Sequence, residues 1–221
     1  MKIYFKAGAV LASAAASLAL GLAPASAAAK PDATPQCAGY CVNLFNEQQG
    51  SQYILSTGGV YSSAVTIQHA SNAAFAEDFH AYVAGTLGKF IWAGLISKSS
   101  YSAISYPWSS PVFEAQYSPY GVNSGLCAAV KGTAKNGSLV LLRDCGAAAR
   151  SLWVADVANE VTDPHSTLGF DAPLVNASDK SFSQPLVLTY EGVGAQLKVT
   201  EEGGLIGTVP DSQEWGLTNV A

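Results

Sequence analysis

The chain has 221 residues, a net charge of −5 and only 12% charged residues, with Gly, Ser, Thr and Asn abundant. A polyanion-binding protein needs clustered Lys and Arg, and no such cluster occurs, so nucleic acid and anionic membrane surfaces are excluded as expected partners. Low charge with many turn formers favours strands and tight turns over solvated helices, and the expectation is an all-β protein.

Lys2 and Lys6 precede the apolar stretch 11–24, which ends in the small residues Ala25, Ser26 and Ala27. Positive start, apolar centre and small-residue boundary are the order of a cleavable signal peptide, so residues 1–27 are expected to be removed and the protein to be secreted. Loss of the two lysines takes the charge to about −7 by the same counting. Residues 28–36 carry Pro31 and Pro35 and no large apolar group, and read as a disordered lead-in. Residues 37–221 are long enough for one well-buried domain. Every later apolar run is broken within a few residues, so no membrane insertion of this part is expected.

An even number of cysteines in an exported chain reads as two disulfides. Cys37, Cys41, Cys127 and Cys145 allow three pairings, of which local closure favours Cys37 with Cys41 and Cys127 with Cys145. Metal binding is not expected, since CAGYC lacks zinc-knuckle spacing and no His lies near Cys127 or Cys145.

Three segments present apolar residues at alternate positions after a Gly-, Asn- or Ser-rich turn: SSAVTIQHA, NGSLVLLRDC and SQPLVLTYE. Alternation of this kind marks a strand with one buried face. Each has a similar segment upstream (SQYILS, SGLCAAV, DAPLVNAS) and downstream (AEDFHAYV, RSLWVADV, AQLKVTEE), which predicts a three-fold array of short β units. Between the first two units, residues 84–111 match no repeat and read as an insertion, an extra hairpin packed on the rest. It holds Trp92, Tyr101, Tyr106 and Trp108, and the functional alternative is an aromatic platform on which a sugar or apolar ligand stacks.

In the middle unit Cys127, Asn136-Gly137, Val140, Leu142, Cys145 and Trp153 follow one another as in a lobe that resembles the ricin B-type lectin family. The resemblance implies a β-trefoil, six strands closing a barrel and six forming a hairpin cap, with Phe79, Trp153 and Trp215 in the core. The family's Gln-x-Trp motif falls at Glu77-Asp78-Phe79 and Ser151-Leu152-Trp153. In the third unit it falls at either Gln196-Leu197-Lys198 or Gln213-Glu214-Trp215.

The same resemblance implies a sugar site built from an acidic residue, a stacking aromatic and an Asn. Carried over, these positions hold Ala129, Arg143 and Arg150 in the second unit, and the acidic position falls near Ile54 in the first and Val175 in the third. All three inherited sites therefore read as empty. Asn176 and Asp179 read as turn formers, and Tyr190 joins Trp92 and Trp108 as the remaining ligand-binding candidates.

No catalytic residue is expected. His69, His80 and His165 fit no paired-imidazole spacing, and the chain lacks GxSxG, SxxK and a Gly-rich phosphate loop. Glu77-Asp78 and Glu201-Glu202 are adjacent, and adjacent residues on a strand face opposite ways. The sequence thus points to a secreted, non-catalytic binding module without a cofactor, its partner a glycan or a secreted or cell-surface protein. The alternatives are a trefoil inhibitor of hydrolases, using the 84–111 loop, and a small secreted hydrolase.

Overall fold

A computed structural model describes residues 42–70, 75–97, 106–146, 148–179, 184–203 and 208–219. Cys37, Cys41 and residues 1–36, which carry the expected signal peptide and lead-in, lie outside them.

The elements follow the turn chemistry. The first lobe contributes β1 (Val42–Asn46), β2 (Tyr53–Thr57), β3 (Val65–His69) and β4 (Phe79–Thr86). The second contributes β5 (Pro111–Tyr117), β6 (Leu126–Val130), β7 (Val140–Asp144) and β8 (Trp153–Ala155). After a two-residue strand, β9 (Val161–Thr162), come β10 (Phe170–Asn176), β11 (Leu186–Thr189), β12 (Lys198–Glu201) and β13 (Glu214–Asn219).

Six of these form a barrel wall in the order β1, β13, β10, β8, β5, β4, antiparallel at each seam. Strand β4 comes round beside β1, and Asn43 closes that last seam by donating from Nδ2 to Glu77 O at 2.9 Å. The other six pair as the hairpins β2–β3, β6–β7 and β11–β12. The hairpins hook into one another: Leu142 N donates to Ser63 O at 2.9 Å, Leu197 N to Val65 O at 2.8 Å, and Gly137 N to Val199 O at 2.8 Å. Each hairpin thus bonds both others, and the edges that hairpins would otherwise expose are used up. Six wall strands with three interlocked hairpins make a β-trefoil.

The fourth strand of each lobe enters from a 3-10 turn, over Phe75–Glu77, Ala148–Ser151 and Asp211–Gln213. Each then buries its aromatic residue, Phe79, Trp153 or Trp215, in the common core. Trp153 Nε1 donates to Ala128 O at 3.1 Å and Trp215 Nε1 to Leu188 O at 2.9 Å, so each indole ties its strand to the hairpin of its own lobe. Phe79 has no such donor and packs against Tyr117 with ring centroids 5.6 Å apart. The third Gln-x-Trp position is therefore Gln213-Glu214-Trp215, while Gln196 and Lys198 belong to the hairpin cap.

Two expectations need correction. SQPLVLTYE contains β11, the second strand of its lobe, and β12 in AQLKVTEE is the counterpart of β3 and β7. Alternation identifies a strand but not its ordinal in a lobe, so the third lobe's counterpart of β3 and β7 lies one strand later than the repeat predicts. Nor do the described residues of 84–111 form a hairpin of their own. Residues Ala84–Thr86 extend β4 and Pro111 opens β5, leaving 87–110 as an excursion that starts with helix α1 (Leu87–Trp92). Residues 98–105 of it lie outside the described residues.

The helix has a local cause. Thr86 Oγ1 caps it by accepting Lys89 N at 3.4 Å, and Leu87, Phe90 and Ile91 fall at helical spacing on one face. The first free amides of the helix are taken by the returning chain, Leu87 N donating to Ser110 O and Gly88 N to Trp108 O. That face, with Ile96 and Tyr106, covers Val112, Val154 and Val175 on the outside of the barrel wall and Val187 on the cap strand β11.

Cys127 and Cys145 are bonded across β6 and β7, with Cα atoms 4.9 Å apart. In the chain-entropy model a loop of that size contributes about 3 kcal/mol.

Replacing Trp215 by Phe keeps a ring in the core and leaves Leu188 O without its donor. The variant is expected to lose about 1–3 kcal/mol, read as a lower urea midpoint; an unchanged midpoint would contradict the tie between strand and hairpin.

Candidate functional site

With the lobes in register, the positions of a lectin-type sugar site can be read directly. Leu55, Ala128 and Leu188 pair with Ile67, Leu142 and Val199 and occupy equivalent places. The residue after each, Ser56, Ala129 or Thr189, holds the acidic position; Ile54 lies two residues earlier on β2, and Val175 lies on a wall strand. None of the three is a carboxylate, and Thr189 Oγ1 is already bonded to Thr200 Oγ1 at 2.7 Å. Arg143, at the aromatic position of the second lobe, lies over the Tyr61 ring at 4.8 Å. Asn176 donates to Arg150 O and accepts from Ser178, and Asp179 accepts Leu186 N, as turn formers do.

The aromatic candidates separate by exposure. Tyr190 is 6% exposed and belongs to the core, where its backbone N–H donates to Ser212 O. Tyr106 is buried under the excursion, and Tyr101 lies outside the described residues. Trp92 is 84% exposed at the end of α1, Trp108 is 47% exposed, and Leu95 and Val83 are similarly open on the same excursion and the strand that feeds it. Trp108 is positioned by Gly88: a Cβ at residue 88 would lie 2.9 Å from Trp108 Cε3. Large aromatic surface held in water by a capped helix anchored to a barrel is a surface ready to be covered.

Carboxyl groups are the feature that the sequence reading missed. Asp156 is buried, its Oδ2 accepts Asn159 Nδ2 at 2.7 Å, and the same Nδ2 reaches Glu202 Oε1 at 3.3 Å. Burial first, and then the Asp156 charge and its hydrogen bond, push the Glu202 carboxyl above the usual range, against a smaller lowering by Asn159. Tyr106 is raised too, by burial and then by Asp156 and Glu202. Glu214 is 2% exposed, and burial followed by the charges of Glu202, Glu47 and Asp156 pushes it up to about 8. A second group joins Glu47, Asp163 and Asp171, whose carboxylate oxygens lie within 4.8 Å of one another. Asp171 is likewise raised, first by burial and then by the neighbouring Glu47 and Asp163 carboxyls.

These carboxyls do not make a glycosidase pair. Asp156 and Glu202 share hydrogen bonds, whereas the two catalytic carboxyls of a glycosidase stand at least about 5 Å apart across a cleft. No imidazole joins them among the described residues: His69 stands edge-on to Tyr53, His80 stacks on Tyr82, and His165 is exposed on the β9–β10 loop. The adjacent Glu201 and Glu202 diverge, Glu201 to solvent and Glu202 inward.

No protein-family model matches the chain, and no curated protein sequence matches it significantly. Among solved structures it is similar to a designed 3-fold symmetric protein, ThreeFoil, with 13% identity and a TM-score of 0.49 over 80% of this chain and 96% of that one. It is also similar to the β-trefoil lectin of the Vibrio vulnificus hemolysin/cytolysin, solved with N-acetyl-D-lactosamine bound, at 12% identity and a TM-score of 0.44 over 82% and 96%. A mosquitocidal holotoxin is similar at 11% identity and a TM-score of 0.48, over 81% of this chain but only 17% of the toxin. Likenesses this distant carry no functional weight, and the trefoil rests on the strand pairing above. Among the described residues, no helix is long and apolar enough to cross a membrane.

The raised carboxyls fix a pH dependence. A carboxyl whose folded pKa exceeds its unfolded value of about 4.3 binds its proton more tightly when folded, so stability is fully present below that value and falls as pH rises through the folded pKa. With Glu202 raised and Glu214 at about 8, the melting temperature is expected to fall between roughly pH 5 and 8. Glu202→Gln, which mimics the protonated form, should flatten part of that slope. A wild-type melting temperature that rises over this interval would contradict the assignment.

Proposed function

We propose that the protein is a secreted, non-catalytic binding module that takes its ligand on the exposed tryptophans of the 87–110 excursion, with glycans as the ligand class. The observation that carries the reading is Trp92, 84% exposed on a helix whose other face is fixed to the barrel wall. An indole covers the apolar face of a sugar ring, and a ring held by a rigid element loses little entropy on binding. The lobe positions where a ricin B-type lectin places its acidic residue hold Ser56, Ala129 and Thr189, so a sugar would be bound here in a different place.

Secretion is supported by the charge and apolar order of residues 1–27 and by a Cys127–Cys145 disulfide that persists best in an oxidising compartment. A protein partner is the second reading, favoured by Leu95 and Val83, which extend the exposed apolar surface beyond what one sugar ring needs. A hydrolase inhibitor would be one such case, but α1 lies with one face on the barrel wall rather than standing out as a loop for a cleft.

Binding of purified protein to an array of glycans tests the proposal, with Trp92→Ala and Trp108→Ala as paired variants. Specific binding is expected in the wild type, and loss of one stacking ring is expected to weaken it by about tenfold or more (on the order of 1–2 kcal/mol). Wild-type binding that both variants retain would move the site elsewhere. No glycan binding at all would leave the protein partner as the reading.

A further inference from the structure

We propose that Glu47, Asp163 and Asp171 form a binding site for a divalent cation of the calcium class. The three residues converge from separate parts of the chain: Glu47 directly follows β1, Asp163 lies on the loop from β9 to β10, and Asp171 is the second residue of β10. One carboxylate oxygen from each lies within 4.8 Å of the others. Two oxygens on one Ca2+ are at most about 5.2 Å apart, given bonds of about 2.3–2.6 Å, so the three can share an ion.

A gathering of acidic side chains is common without an ion, and Asp171 supplies the independent observation. It is 0% exposed, and neither of its oxygens receives a hydrogen bond. The nearby Ser166 hydroxyl accepts Leu217 N at 3.2 Å and favours the charged form of Asp171, but it does not reach it in hydrogen-bonding geometry. A buried carboxylate with no donor is costly, and an ion in the cluster is the partner that satisfies it. Among the described residues no Lys or Arg pairs with any of the three; the ion pair seen is Lys198 with Glu191, elsewhere.

The surroundings also make room. Asp171 lies over Gly216 on β13, where a Cβ would fall 2.0 Å from Asp171 Oδ1 and 2.5 Å from Phe45 Cζ. The loop that carries Asp163 is docked on the same strand by Thr167 N donating to Leu217 O at 2.7 Å. All three ligands are hard carboxylate oxygens, with neither sulfur nor imidazole among them, which selects Ca2+ over zinc or copper. Short Cys and His spacings give no sign of this site, because its ligands are assembled only by the closure of β1 and β10 onto β13.

Calorimetric titration of the EDTA-treated protein with CaCl2 tests the site, with MgCl2 as the comparison ion. One Ca2+ per chain is expected, with affinity reduced at least about tenfold in Glu47→Gln and in Asp171→Asn, and unchanged in Asp144→Asn at the exposed end of β7. Glu47 is only half-buried, so its variant keeps the test decisive if Asp171→Asn fails to fold. No binding by the wild type at millimolar calcium overturns the proposal. So does binding that survives unchanged in Glu47→Gln, or preference for Mg2+ over Ca2+.

Discussion

The structure depends on the way three hairpins close one end of a six-stranded barrel by bonding to each other. A lone hairpin is at best marginally stable in water, and here each is joined to both neighbours by backbone hydrogen bonds. The buried aromatics of the fourth strands extend that closure into the barrel: Trp153 and Trp215 each bond a carbonyl of their own lobe's hairpin strand. Barrel and cap therefore share one core, and neither can open without exposing the other. Phe79 fills the same place in the first lobe by packing alone, and there the seam between β1 and β4 relies on Asn43.

A closed barrel also has an outside, and in this chain much of it is covered. The wall strands β8 and β10 and the cap strand β11 are buried along nearly their whole length because the 87–110 excursion lies over Val154, Val175 and Val187. Covering the wall with one face of α1 leaves the other face, with Trp92, in water. Elsewhere loops lie over strand faces that carry Asp171 and Glu214, and burial holds these carboxyls near neutrality or leaves them in need of a counter-ion. The same constraint, a barrel wall that must be covered, thus accounts for both the exposed aromatic face and the trapped acidic groups.

How much of this was legible follows from the range of each signal. Alternating apolar residues and turn formers are local, so strands and the Cys127–Cys145 hairpin could be read along the chain, while the core placement of Trp153 followed from the ricin B-type resemblance. The ordinal of a strand within its lobe is not local, and for that reason the pattern of SQPLVLTYE does not show that it is the second strand of its lobe and not the third. Helix α1 had a readable signal in Thr86 followed by Leu87, Phe90 and Ile91, but a stretch that matches no repeat in an all-β chain reads as an extra hairpin. The carboxyl clusters had none: Glu47 lies more than a hundred residues of chain from Asp163 and Asp171 and meets them only through strand pairing. The emptiness of the lobe sugar positions was readable at Ala129, but the counterparts Ser56 and Thr189 required the register.

The most direct test of the account is to watch the four indole N–H signals in a 15N–1H correlation spectrum while a bound glycan or partner is titrated in. Trp92 is 84% exposed and Trp108 about half exposed, whereas Trp153 and Trp215 are buried and donate to carbonyls inside the core. The account predicts that ligand shifts the Trp92 and Trp108 signals and leaves those of Trp153 and Trp215 in place. Shifts confined to the two core indoles, or saturation with all four unmoved, would contradict it.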